Sequence, residues 1–351
     1  MRGSDYNQVS RFLHWMALAH PAILESSFLI EESLFKKQVR DTLHNHVFVT
    51  GLARAGTTIL MRTLHDTGSF ISLTYDDMPF ILMPNFWHIL KRGRGKDNSY
   101  TERAHGDGIL VNTESPEAFD EVFWKVFLND QFIQEDKLLQ HEITKDVIKK
   151  FKSYLGLILL RQHSNVEEKR YLSKNNNNIL RIQSLATAFP MSSFLLVFRE
   201  PLQHAKSLLD QHKRFCKMQK ENRFVLRYMN WLGHYEFGLG HRTFNFETTT
   251  SFQETDTLSL NYWLEVWKNY YTYALTLNSP NILPVCYEDL CTSPEFVLKE
   301  LFSKLHVEKK IVHDIKLKPN AGLENILLNT SKPLIKECQD IYDKLVKWSR
   351  L

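Results

Sequence analysis

His46-Val-Phe-Val-Thr-Gly51-Leu-Ala-Arg54-Ala-Gly56-Thr57-Thr58-Ile-Leu60 is the stretch that decides the fold. Val47 to Val49 are the β-branched and aromatic run of a buried strand, and Gly51 and Gly56 bound a tight turn. Thr57 and Thr58 then bring hydroxyls to the first turn of a helix. Backbone N–H groups at a helix start have no intrahelical partner and point at any anion placed there, so the stretch reads as a phosphate cradle. A nucleoside-triphosphatase loop has the form GxxxxGK followed by Ser or Thr, with its lysine on the β/γ-phosphates and its hydroxyl on magnesium. Here Thr57 stands where that lysine belongs and Arg54 lies inside the loop. Arginine is no metal ligand, but its planar fork grips phosphate or sulfate oxygens, so the loop points to a nucleotide held without metal.

A second constellation runs Ser193-Phe-Leu-Leu-Val-Phe198-Arg199-Glu-Pro201-Leu-Gln-His-Ala-Lys-Ser207, a continuous apolar strand passing through an X-Pro turn into a helix. Arg199 sits at the carboxyl end of the strand, where open α/β sheets collect their ligands. Ser207, about two helical turns on, is placed to face the same crevice.

Gly51-Leu-Ala-Arg54-Ala55-Gly56-Thr57-Thr58 resembles the 5′-phosphosulfate loop of sulfotransferases, whose common form is G-x-P-R-S-G-T-T. Ala53 replaces the usual proline and Ala55 the usual serine, while the arginine, both glycines and both threonines stay in place. Arg199 and Ser207 resemble the family's 3′-phosphate site in identity and spacing. The resemblance implies 3′-phosphoadenosine-5′-phosphosulfate (PAPS) as sulfuryl donor and an α/β fold of three layers, a P-loop-like, mostly parallel central sheet flanked by helices. It implies donor contacts from Gly51, Arg54, Ala55, Gly56, Thr57, Thr58, Arg199 and Ser207. Tyr287, in a strand-like piece from Asn281 that ends Tyr-Glu-Asp-Leu, resembles the family's tyrosine near the nucleotide. Lys174, in Tyr171-Leu-Ser-Lys174-Asn, resembles the lysine that faces the bridging oxygen in tyrosylprotein and carbohydrate sulfotransferases.

Sulfuryl transfer needs a base for the acceptor's proton and cations for charge building on the leaving phosphate. Arg54 and Lys174 are the candidate cations. For the base, Asp76 ranks first: it follows the first helix at about the distance where tyrosylprotein sulfotransferases carry a catalytic glutamate, and a carboxylate pair with Asp77 pushes one pKa upward. His105 ranks second, because histidine is the base in many cytosolic sulfotransferases, and Asp77 third. Glu114 and Glu117 read as acids complementing a helix start.

The chain of 351 residues, 43% hydrophobic and 24% charged, is that of a globular protein with a sizeable core. Its net charge of +4 is too mild to argue for nucleic acid. Cys216, Cys286, Cys291 and Cys338 show no metal-ligand spacing, and they suggest a reducing, cytoplasmic setting with no metal. The apolar run 11–30 is broken by His14, His20, Pro21 and Glu25. It reads as two amphipathic helices rather than a transmembrane span, with peripheral membrane contact as a lesser reading.

These patterns divide the chain into a helical segment over 1–43 and one α/β domain over 44–351, with a helical insertion around 80–170. Residues 85–107, rich in Lys, Arg and Gly, read as an exposed loop, and Asn175 to Asn178 as a polar turn. Phe119 to Ser164 reads as helices flanking the sheet, and Ser293 as the cap of a later helix. Ser331 and Lys332 carry only a faint likeness to the family's nucleotide-closing loop. The expected activity is direct sulfuryl transfer to a hydroxyl or amine of a carbohydrate or small molecule. A P-loop phosphotransferase and a non-catalytic nucleotide- or glycan-binding protein are the alternatives, and the sequence says nothing of oligomeric state.

Overall fold

The computed structural model describes residues 8–39, 45–91, 100–102, 110–128, 131–161, 169–247, 254–308 and 330–350. Helices α1 (Gln8–Leu18) and α2 (Pro21–Phe35) precede β1 (Val47–Thr50), α3 (Thr57–Asp66) and β2 (Phe70–Ile71). Then come α4 (Pro84–Leu90), β3 (Thr101–Glu102), β4 (Leu110–Val111), α5 (Glu121–Leu128), β5 (Lys137–Leu139) and α6 (Lys145–Leu159). The chain continues through β6 (Arg170–Lys174), α7 (Ile182–Ala188), β7 (Ser193–Phe198), α8 (Pro201–Glu221), α9 (Arg223–Leu232) and β8 (Thr243–Asn245). It ends with α10 (Leu260–Ala274), β9 (Ile282–Cys286), α11 (Tyr287–Thr292), α12 (Pro294–Lys304) and α13 (Lys332–Ser349).

Among the described residues the main sheet has five strands in the order β2-β6-β1-β7-β9, all parallel. A parallel sheet covered on both faces needs strands apolar on both sides, which is why β1 and β7 read as unbroken apolar runs. Side chains alternate across β1. Phe48 joins the larger core and stacks on Phe194 of β7 at 4.9 Å, while Val47 and Val49 enter a smaller core with Leu60, Leu64 and Leu301. The chain leaves central β1 toward β6 and β2 on one side and fills β7 and β9 on the other. The crevice therefore opens beyond the carboxyl ends of β6, β1 and β7.

Helix α10 fills the larger core with aromatic rings and steadies those strand ends with their polar tips. Trp267 Nε1 donates to the Arg199 carbonyl at 3.1 Å, Tyr271 Oη to the Val197 carbonyl at 2.9 Å and Tyr270 Oη to the Asn176 carbonyl at 3.4 Å. On the other flank, Ala17, Leu18, Leu24 and Phe28 of α1 and α2 join the same core. The buried Glu31 carboxylate accepts from the backbone N–H of Asn85 and Phe86, capping α4.

Several local expectations change. Segment 119–164 is not helical throughout, because β5 lies between α5 and α6 and pairs in parallel with β8. Asn175 to Asn178 is no solvated turn: all four side chains are buried, and the last three open a 3-10 turn over Asn176–Arg181. Ser293 precedes α12 without a side-chain cap bond, whereas Ser331 caps α13 through Leu334 N. The expected loop over 85–107 begins with α4, and 92–99 and 103–109 fall outside the described residues.

Candidate active site

Gly51 has φ +147 and lies so close to β7 that a Cβ would stand 2.5 Å from the Val197 carbonyl oxygen. Gly56 has φ +100, and a Cβ there would meet the Tyr287 ring at 2.5 Å. No side chain larger than hydrogen is accommodated at either position, which explains the glycine boundaries of the loop. Arg54 is also left-handed, with φ +72, a conformation that is sparsely populated for non-glycine residues and that clusters at ligand clamps. Its Nε donates to Ser207 Oγ at 3.3 Å, and its carbonyl accepts from Arg199 Nη1 at 3.4 Å. The Arg199 guanidinium lies 4.7 Å from the centroid of the Tyr287 ring. Tyr287 thus floors both Gly56 and Arg199, so the loop, the end of β7 and the first turns of α8 form one cationic arm.

Beneath that arm His204 is fully buried. Its Nε2 lies 2.8 Å from the Ala53 carbonyl, which can only accept, so the proton sits on Nε2. Burial drops its pKa to about 3, keeping the ring neutral under the loop.

Across from Arg54 the crevice narrows to a cleft of about 40 Å³. Its near wall is Ala53, Arg54, Thr57 and Thr58, and its far wall is Glu117, Lys174 and Asn176. Met229, His234, Glu236 and Phe237 close it. Larger hollows, about 660 Å³ beside His141 and about 440 Å³ along α8, contain none of the residues expected at the site, and the small cleft is the one the loop and strand ends define. Lys174 ends β6 with its Nζ 3.9 Å from Glu117 Oε1. Glu117 Oε1 accepts from Ala118 N at 3.0 Å and Oε2 from Tyr75 Oη at 3.2 Å. His234 Nε2 faces the Ala118 carbonyl at 3.0 Å, so its proton lies there and Nδ1 carries the lone pair.

The turn after Lys174 is held from below. Asn175 Nδ2 donates to Glu121 Oε2 at 2.7 Å, and the same carboxylate pairs with buried Arg181 at 2.5 Å. Asn176 donates to Glu236 Oε1 at 3.0 Å and Asn177 to the Gly233 carbonyl at 3.2 Å. The asparagine run therefore serves as a set of short, neutral struts that fix the strand end at the cleft. Asp120, beside Glu121, is also buried and accepts from Ser173 Oγ. Burial pushes its carboxyl up to about 6.

The fold thus gathers Gly51, Arg54, Ala55, Gly56, Thr57, Thr58, Arg199, Ser207, Tyr287 and Lys174 around one crevice. It does not bring Asp76 or Asp77 to the cleft. The Asp76 carboxylate pairs with Lys91, with His88 Nδ1 3.9 Å away. Asp77 pairs with Arg161 and accepts from Thr74 N at 2.7 Å in a capping box. Both carboxylates hold the 3-10 turn Tyr75–Asp77 against α4 and α6. Strand β2 ends at Ile71, too early to aim either of them over the crevice. His105 lies outside the described residues. Glu117 takes the cleft position instead, because α5 begins only at Glu121 and the Glu117 segment crosses beside Thr74 through a Thr74–Pro116 bridge. Nothing local in the sequence signals that long-range bridge. His234, Glu236 and Phe237 were invisible for the same reason, arriving on the turn after α9.

The fold and the crevice define a class: a P-loop-like α/β protein whose anion cradle carries an arginine and no Walker lysine. The model of the Sulfotransferase family matches residues 46–310, most of the chain, and the chain belongs to the sulfotransferase family. Among solved structures it resembles the sulfotransferase STF1 from Mycobacterium tuberculosis H37Rv, at 13% identity and a TM-score of 0.52, over 96% of this chain and 86% of that one. The sulfotransferase STF9 from Mycobacterium avium matches at 10% identity and a TM-score of 0.48, over 96% of this chain and 78% of that one. The sulfotransferase domain from the curacin biosynthetic pathway matches at 14% identity and 0.40, over 87% and 98%. No curated protein matches the chain. Among the described residues no group of His, Cys, Asp or Glu gathers to hold a metal ion, all four cysteines are free, and no helix is long and apolar enough to cross a membrane.

Proposed function

We propose that this chain moves a sulfuryl group from PAPS directly to a hydroxyl or amine of an acceptor seated in the cleft between Arg54, Lys174 and Glu117. The observation that carries the reading is the joining of the two anion-binding arms through Arg54, with the Lys174–Glu117 pair standing opposite. The cradle suits a nucleotide with phosphates at both ends. Gly51 and Gly56 let the backbone approach closely, the first turn of α3 supplies N–H groups, and Arg54 and Arg199 supply cations at separate points.

PAPS, when bound, supplies the sulfuryl group and a bisphosphate leaving group. Arg54 and Lys174 are placed to offset charge that builds on the leaving oxygen, where preorganised cations in a narrow cleft act most strongly. Glu117 takes the acceptor's proton, held in orientation by Tyr75 and the Ala118 N–H, with Lys174 Nζ 3.9 Å from its carboxylate. His234 is a second proton acceptor, on the specific ground that its Nε2–H is spent on Ala118 and Nδ1 is free to act as base. Asp76 no longer leads, since its partners are Lys91 and His88. On this reading 44–351 act as one catalytic domain with 1–43 packed on it as a helical segment. The four free thiols suit a cytoplasmic protein. Calorimetry with adenosine 3′,5′-bisphosphate tests the reading: wild type binds, Arg54→Ala and Arg199→Ala bind weakly, and absence of binding by the folded wild type sinks it.

A further inference from the structure

The positive charge of this protein is concentrated in one place. Between Lys206 and Arg227 seven lysines and arginines stand against two acids, a surplus of five, whereas the whole chain carries four. The remainder is therefore net negative by one. Those 22 residues are most of α8, the turn after it and the first half of α9. Lys206, Lys213, Lys217 and Lys220 follow one another at spacings of seven, four and three, which puts them in a single stripe along α8, about 21 Å long. Lys213, Arg214, Lys217, Lys220, Arg223 and Arg227 are exposed. Of the two acids, Asp210 is paired with Lys206. Glu221 shares with Lys213, Lys217, Lys220 and Leu258 a shallow groove of about 440 Å³.

We infer that α8 presents a docking surface for an anionic polysaccharide whose reactive hydroxyl enters the cleft, and that this protein therefore acts on an acidic glycan. The inference rests on the sulfotransferase reading above and names its acceptor class. Charge complementarity selects a polyanion, and a stripe one helix wide suits a single narrow chain. No aromatic side chain is exposed on α8 to stack a nucleobase, which disfavours single-stranded nucleic acid. The α8–α9 segment also meets the site at both ends. Ser207 lies in its first turns, and Met229 of α9, followed by His234, lines the cleft itself. The segment that carries the stripe thus also contributes to the cleft, where Glu236, Asn176 and His234 are partners for sugar hydroxyls.

The test compares the full-length protein with Lys213→Glu/Lys217→Glu/Lys220→Glu and with Lys299→Glu/Lys336→Glu/Lys344→Glu, which makes the same charge change at exposed lysines elsewhere. Chondroitin binding at low salt is expected to weaken by about tenfold or more in the first variant and by less than about threefold in the second, with affinity in wild type falling as salt rises. Binding of adenosine 3′,5′-bisphosphate stays unchanged in both. Equal losses in the two variants, or none in the first, overturn the surface. Tighter binding of polyglutamate, an oligodeoxynucleotide or phosphatidylserine vesicles than of chondroitin overturns the glycan assignment. A wild type that binds chondroitin through the stripe but binds no bisphosphate overturns the sulfotransferase reading and leaves the surface standing.

Discussion

Arg54 Nε donates to Ser207 Oγ across 3.3 Å, although the two residues lie 153 positions apart. The bond ties the anion loop to α8, so each half of the proposed nucleotide site positions the other. Ser207→Ala is expected to weaken adenosine 3′,5′-bisphosphate binding by about tenfold to a hundredfold, the range of one hydrogen bond to a charged partner. Arg54→Ala costs more, since it removes a cation as well, and Arg54→Lys does not restore it, because a point charge lacks the planar fork. In a double-mutant cycle the two losses are less than additive, and strict additivity would separate the halves.

Glu117 and Asp76 make opposite predictions. Turnover of PAPS, followed as slow release of the bisphosphate to water or to a supplied acceptor, falls by about 10²-fold or more in Glu117→Gln with nucleotide affinity retained. Asp76→Asn loses only its partners Lys91 and His88, so it changes the rate by no more than a few-fold and lowers the melting temperature instead. A full loss of rate in Asp76→Asn with Glu117→Gln active restores the order read from the sequence. His234→Asn completes the set: if Nδ1 is the base, that variant and not Glu117→Gln abolishes turnover.

The reach of the sequence ends where pairing becomes long-range. The strand, turn and helix around Gly51 were legible because glycine placement, β-branched runs and helix-start chemistry act over a few residues. The same holds for Arg199 and Ser207, which lie eight residues apart across one strand, X-Pro turn and helix. Lys174 was legible through its likeness to a family lysine, and the fold makes it the last residue of β6. Glu117 was not, because its place depends on an antiparallel bridge between Thr74 and Pro116 and on a helix that begins four residues later than its acids suggest. The asparagine run misled for a related reason. Its amides find partners in Glu121, Glu236 and Gly233, and only the tertiary fold turns a polar stretch that favours a solvated loop into buried struts.

Gly56 and Tyr287 define a second pair in contact. A Cβ at position 56 meets the tyrosine ring at 2.5 Å, and φ +100 is strained for any L side chain. Gly56→Ala therefore lowers stability by about 1–3 kcal/mol and weakens bisphosphate binding along with it. Tyr287→Ala in the same protein removes the clash but leaves the strained dihedral, so the double variant recovers part of the loss. Thermal denaturation of the single and double variants reads this directly. A double variant as unstable as the sum of the two singles contradicts the contact.

Asp120 gives the pH dependence its sign. Burial raises its carboxyl from 3.8 to about 6, so between those values the folded chain binds more protons than the unfolded chain. The contribution favours the fold fully below about 4 and is lost as pH climbs through about 6. Asp120→Asn keeps an acceptor for Ser173 and removes the titration. Relative to wild type it should gain stability from pH 4 to pH 7, by up to about 3 kcal/mol, the worth of two pKa units. The buried rings of His141 and His204, both lowered to about 3, act in the opposite direction, because below 6.5 the unfolded chain takes up protons that the folded chain does not, so their contribution falls as pH falls. They are common to both proteins and cancel in the difference. Calorimetric melting of the pair across this range checks the prediction, and a difference that stays flat with pH removes Asp120 as the titrating group beneath the cleft.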